Sequence, residues 1–134
     1  MKRFYFEKLV RDKVVDDCLK DEKVLRTEWR QLGNDEYIRE LVKKSIEEAE
    51  EIPLDSNDRA IALEEIADFQ TVIDALRIAM GFSEQEVQEA KDRKATKKGD
   101  FTARRYIEYV DLADNSEWIA YFRAQPEKYR EEEI

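Results

Sequence analysis

The fold turns on residues 44–68, KSIEEAEEIPLDSNDRAIALEEIAD, which hold two helical patterns joined by a short breaker. On a helical wheel at about 100° per residue, Ile38, Leu41, Val42, Ile46, Ala49 and Ile52 form one apolar stripe on the first pattern. Glu48 falls at the edge of that stripe, Glu51 and Glu47 lie progressively further round the same side, and Glu50 falls on the opposite flank. On the second pattern Leu63, Ile66, Phe69, Val72, Ile73, Leu76 and Met80 form a wide apolar arc. Glu65 projects inside that arc, between Val72 and Leu76, and Asp68 projects at its margin.

Runs such as EEAEE are ordinarily solvated faces. Two features argue for more here. Glu65 points inward, and Glu48/Glu51 and Glu65/Asp68 are each spaced i, i+3, so each pair presents two carboxylates on one helical face. A buried carboxylate is costly unless it is protonated, paired or bound to a metal, and converging carboxylates repel one another. A hard divalent cation such as Mg²⁺, which takes oxygen ligands, resolves both problems.

Working outward, the first helix is expected over about 36–52 and is stopped by Pro53. Asp55-Ser56-Asn57-Asp58 turns the chain and caps a second helix over about 59–80, which Gly81 ends. So short a connection makes the two helices antiparallel neighbours, with their acidic edges facing. Asp74 and Arg77 are expected to form an ion pair on the second helix. Upstream, Phe4-Tyr5-Phe6 reads as extended, 10–19 as a helix, and 23–32 as a short strand. Lys8, Arg11 and Lys13 make a basic cluster around Asp12, and Gly33-Asn34-Asp35 is a turn with Asn34 or Asp35 as N-cap. Downstream, Ser83 and Glu86 make a capping box for a helix running to about Lys94.

Residues 91–105 then carry seven basic side chains (Lys91, Arg93, Lys94, Lys97, Lys98, Arg104 and Arg105) against Asp92 and Asp100. This stretch is the best candidate for phosphate contact, with Gly99 permitting close backbone approach. A short strand over 105–110 and a helix over 114–121 follow, with Trp118, Ile119 and Phe122 available to pack.

The expectation is therefore an all-α fold: an antiparallel helical bundle of about four helices with short peripheral β segments, in one domain of 134 residues. A net charge of −9 argues against a nucleic-acid partner. No apolar run is long enough to span a membrane and no signal-peptide pattern is present, so a cytoplasmic protein is expected. Cys18 is alone, which removes an internal disulfide and a cysteine-based zinc site. The chain has no histidine, which eliminates histidine-based triads and histidine-ligated metals. A carboxylate, a lysine or a metal-bound water is left as the base.

Glu47-Glu48-x-x-Glu51 followed by Glu65-x-x-Asp68 resembles the EExxE and ExxD motifs of the MazG-like superfamily of all-α NTP pyrophosphohydrolases. FEKLVRDKV (6–14) is similar to the YNKLVRDKI signature of one small branch of that group, the phosphoribosyl-ATP pyrophosphohydrolase-like one. Lys97-Lys98-Gly99-Asp100-Phe101 resembles the basic-Gly-Gly-Phe stretch after the family's third helix. The three matches come in the family's order and cover about residues 5–110. Asp100 stands where the family has a second Gly, Val15 where the signature has Pro, and residues 112–134 form a C-terminal extension without a counterpart.

The resemblance implies hydrolysis of a nucleoside triphosphate to monophosphate and pyrophosphate, with Mg²⁺, or Mn²⁺ in its place, as cofactor. Glu48, Glu51, Glu65 and Asp68 would hold metal, and Glu47 would orient or deprotonate the attacking water. Lys8, Arg11, Lys94, Lys97 and Lys98 would meet phosphate oxygens, with Asp12 orienting Arg11. It also implies a homodimer or homotetramer. The alternatives are a phosphoribosyl-ATP or dUTP pyrophosphohydrolase, and a nonenzymatic helical module that binds a nucleotide.

Overall fold

A residue that precedes proline is pushed out of the helical region, and Ile52, before Pro53, is extended at φ −65°, ψ 118°. The helix before it ends there. In a computed structural model that describes residues 1–55 and 57–134, the helices are α1 (Asp12–Lys20), α2 (Asn34–Glu51), α3 (Arg59–Ala79), α4 (Glu84–Lys98) and α5 (Trp118–Arg123). The chain is all-helical among the described residues, and none of its helices is long and apolar enough to cross a membrane. It divides into two compact units, residues 1–94 and 95–134.

In the first unit α2 and α3 pack against each other along their lengths, and among the described residues no other pair of helices there has comparable contact. Asp58 caps α3, its side chain accepting from the Ile61 amide; Ser56 of the expected capping turn lies outside the described residues. The far end of α3 closes in a Schellman motif. Gly81 sits at φ +79°, its amide bonds the Ile78 carbonyl, and the Phe82 amide bonds the Arg77 carbonyl. Arg77 reinforces the corner by donating to the Phe82 carbonyl at 2.8 Å, close to Glu84, while the expected Asp74 partner stands at 3.9 Å. The capping box of α4 is formed on both sides: the Glu86 amide donates to Ser83 Oγ, and the Ser83 amide to the Glu86 carboxylate. The cap of α2 differs from expectation. Gly33 occupies that position, which places Asn34 and Asp35 inside the first turn.

Among the described residues no strand forms, and the helix packing seen is that of the α2/α3 pair. α4 is polar nearly all round and laced by Gln85–Glu89 and Gln88–Asp92 bonds, so it has no apolar face to bury. The expected strands at 4–6, 23–32 and 105–110 remain irregular and, apart from half-buried Thr27 and Leu32, exposed, because a strand needs a ladder partner. Arg26 and Glu28 do pair at i, i+2, which an extended backbone allows. In the second unit, α5 starts at Trp118 instead of Asp114. Trp118, Tyr121, Phe122 and Tyr129 make an aromatic cluster, and Arg123 holds the Glu131 carboxylate of the tail.

The α2/α3 contact runs along the acidic edge of the stripe rather than through its centre. Leu41, Val72 and Glu48 are the buried residues among those described, whereas Val42, Ile46, Leu63, Ile66 and Ile73 stay exposed.

Candidate metal centre

The i, i+3 spacing on α3 sets Glu65 and Asp68 on one side of the helix, beside Val72, and antiparallel α2 brings Glu48 to them. One carboxylate oxygen from each of Glu48, Glu65 and Asp68 lies within 4.8 Å of the others. Glu48 is 7% exposed, and Oε2 of Glu65 is buried with no hydrogen-bond partner among the described residues. An unsatisfied buried carboxylate oxygen is expensive, and a cation is one partner that could satisfy it. The donors are all oxygen, which suits Mg²⁺ or Mn²⁺ and not a thiophilic metal.

Glu51, the fourth expected ligand, is exposed in the last turn of α2 and lies outside this three-residue group. It is close enough for its charge to act on Glu48. Burial pushes the Glu48 carboxyl above the usual glutamate range, and repulsion from Glu51 and Asp68 adds to this, against an opposing pull from Lys44.

Glu47, about 100° round α2 from Glu48, lies outside the three-residue group. Lys8 Nζ donates to its carboxylate at 2.7 Å and Lys44 lies at 3.4 Å. The Lys8 bond is the main reason that Glu47 is held below the usual range, and the same bond raises Lys8. Arg11 Nη2 donates to Asp68 Oδ1 at 2.6 Å. Arg11 is thus engaged by Asp68, not by Asp12; Asp12 is the exposed first residue of α1 and has no bond to Arg11 among the described residues.

Lys44 was not foreseen. Its side chain is only 16% exposed and reaches both Glu47 and Glu48 at 3.4 Å. The signal was present in the sequence, since Lys44 stands i, i+3 and i, i+4 from the two glutamates. The expected phosphate contacts on α4 are less organised. Lys94 is exposed at the end of the first unit. Lys97 and Lys98, in the second unit, are exposed in the last turn of α4, where cations favour the helix C-terminus. Gly99, at φ +78°, has the task of ending that helix.

No family model, curated protein or solved structure matches the chain, so the reading of the site rests on its own chemistry.

Proposed function

We propose that this protein hydrolyses a nucleoside triphosphate to nucleoside monophosphate and pyrophosphate in a Mg²⁺-dependent reaction, with Mn²⁺ able to substitute. The observation that carries the reading is the convergence of Glu48, Glu65 and Asp68 from two antiparallel helices around a buried, unpartnered Glu65 oxygen. These three carboxylates would hold the metal, with Glu51 available from the adjoining turn. When bound, such an ion neutralises phosphate charge and lowers the pKa of a water molecule.

The remaining roles fall to the chain's own side chains. Glu47, next to the ligands but outside the three-carboxylate group, orients the water or takes its proton. Lys8 and Arg11, already at the rim of the acidic centre, meet phosphate oxygens. Lys94, Lys97 and Lys98 are the further cations for that role, on the strength of the sequence. Burial of Glu48 and the hold of Lys44 fix the ligand on α2 before any substrate arrives.

A homodimer or homotetramer completes the site. The recess beside Lys8, Lys44 and Glu47 measures about 80 Å³, whereas small-molecule pockets run to roughly 300–1,000 Å³. The exposed stripe of Val42, Ile46, Leu63, Ile66 and Ile73 offers a second copy an apolar face. The test is pyrophosphate release from a panel of NTPs and dNTPs, with Mg²⁺ or with EDTA. Mg²⁺-dependent release from one or more of them is expected. No release from any nucleotide, at protein concentrations where the oligomer is present, would remove the enzymatic reading.

A further inference from the structure

Three cations already lie on the acidic centre: Lys44 belongs to α2 itself, and the other two come from the N-terminal segment. Lys8 reaches 39 residues along the chain to Glu47, and Arg11 reaches 57 residues to Asp68. We infer that Arg11 is an exchangeable stand-in for the metal. It occupies Asp68 in the metal-free protein, is displaced when a divalent cation enters, and is thereby released to bind an anion. This rests on the proposed metal centre and adds to it an order of events in which one residue serves in turn as counter-ion and as anion ligand.

Three observations support the exchange. First, the contact is accessible: the Arg11 and Asp68 side chains are 61% and 40% exposed, and those of Lys8 and Glu47 are 46% and 31% exposed. Ion pairs so open to water contribute little net stability, so they yield readily to a competitor. Second, the substitution is incomplete. The guanidinium satisfies Asp68 at the rim, yet Glu65 Oε2 stays buried and unpartnered among the described residues. A divalent ion among the three carboxylates reaches the oxygen that Arg11 cannot, and it repels a cation held by one of its ligands.

Third, the segment can give up the contact without losing a helix. Arg11 has an extended backbone at φ −63°, ψ 150°, and α1 begins only at the next residue. Glu7, just before Lys8, sits at φ +49°, a conformation that costs a non-glycine residue energy. Leu9 and Val10, between the two cations, are half-buried, so apolar contact keeps the segment in place when the Arg11 pair opens.

The test titrates Mn²⁺ into the full chain by calorimetry, comparing wild type with Arg11→Gln, Arg11→Lys and Lys13→Gln. Lys13 is an exposed cation two residues away that makes no ion pair among the described residues, so it controls for simple removal of charge. Arg11→Gln should bind Mn²⁺ about two- to fivefold tighter than wild type, the span expected for loss of one exposed competing pair. Lys13→Gln should gain less than Arg11→Gln, and Arg11→Lys should stay near wild type.

A second measurement uses unaltered protein. Phenylglyoxal modification of Arg11, read by peptide mass spectrometry against Arg3, should quicken when Mn²⁺ is added. With Mn²⁺ present, inorganic pyrophosphate should bind Arg11→Gln at least about tenfold more weakly than wild type. Mn²⁺ affinity in Arg11→Gln no greater than in Lys13→Gln, or an Arg11 modification rate indifferent to Mn²⁺, overturns the exchange while leaving the metal centre standing. Absence of any Mn²⁺ binding to wild type overturns both.

Discussion

Replacing Glu65 by Gln should reverse the order of stability between metal-free and metal-loaded protein. Glu65 brings a negative charge within 4.8 Å of the Glu48 and Asp68 oxygens. Two like charges at that distance repel by about 3.5 kcal/mol at an effective dielectric of about 20, and by about 0.9 kcal/mol in water. Asp68 is open to solvent and already paired with Arg11, so the lower end governs, and relief of about 1 kcal/mol is expected. Gln nearly preserves the volume, so no cavity term opposes the gain. For a chain of this length 1 kcal/mol moves Tm by roughly 3–5 °C.

In EDTA the variant should therefore melt a few degrees above wild type. In Mg²⁺ at about 100 times Kd, wild type gains about 2.7 kcal/mol through linkage, while the variant, lacking one ligand charge, gains little. The two melting curves should then exchange places, and pyrophosphate release by the variant should fall by at least about 100-fold. Thermal denaturation of both proteins in EDTA and across a Mg²⁺ series reads this directly. A variant that melts below wild type in both conditions, or that responds to Mg²⁺ as wild type does, refutes the reasoning that Glu65 is a strained ligand.

The pH dependence of metal-free stability should have two opposed contributions. Burial raises Glu48, so the folded chain keeps a proton that the unfolded chain has released; stability then declines as pH climbs from about 4.5 through the raised value, and Glu48→Gln should flatten that decline in urea denaturation with EDTA. Glu47 is depressed by Lys8, so its contribution is present above about 4.5 and is lost as pH falls through the lowered value; Glu47→Gln should flatten that acid limb instead. Ser83→Ala removes the reciprocal cap of α4 and should cost about 1 kcal/mol, read by urea denaturation, with loss of helical circular dichroism. Ile66→Glu puts a charge into the exposed stripe of α3 and should shift the sedimentation equilibrium towards monomer; an unchanged sedimenting mass would count against assembly through that face.

The parts of this protein that were legible in its sequence are those set by neighbours a few residues apart. Asp58, Gly81 and the Ser83/Glu86 pair fix the ends of α3 and the start of α4 through local bonds, and each is where its residue type predicts. The approach of Glu48, Glu65 and Asp68 follows from helical period plus a short connection. The expected strands do not form because Val24, Leu25, Tyr106 and Ile107 express a preference that only a distant partner could fulfil. The Lys8–Glu47 and Arg11–Asp68 pairs were out of reach for the same reason, since no local rule selects one carboxylate among so many.

The wheel placed Glu48 at the edge of its stripe, and the packing of α2 on α3 turned that edge into the contact face. A chain selected only to stabilise this hairpin would centre the contact on Val42, Ile46, Leu63 and Ile66 and leave the glutamates in water. This one exposes those apolar residues and brings three carboxylates together instead. The arrangement is unfavourable for an isolated, metal-free chain. The proposed cation on the acidic face and the proposed second copy on the apolar one would each relieve one part of it, and EDTA and Ile66→Glu test the two separately.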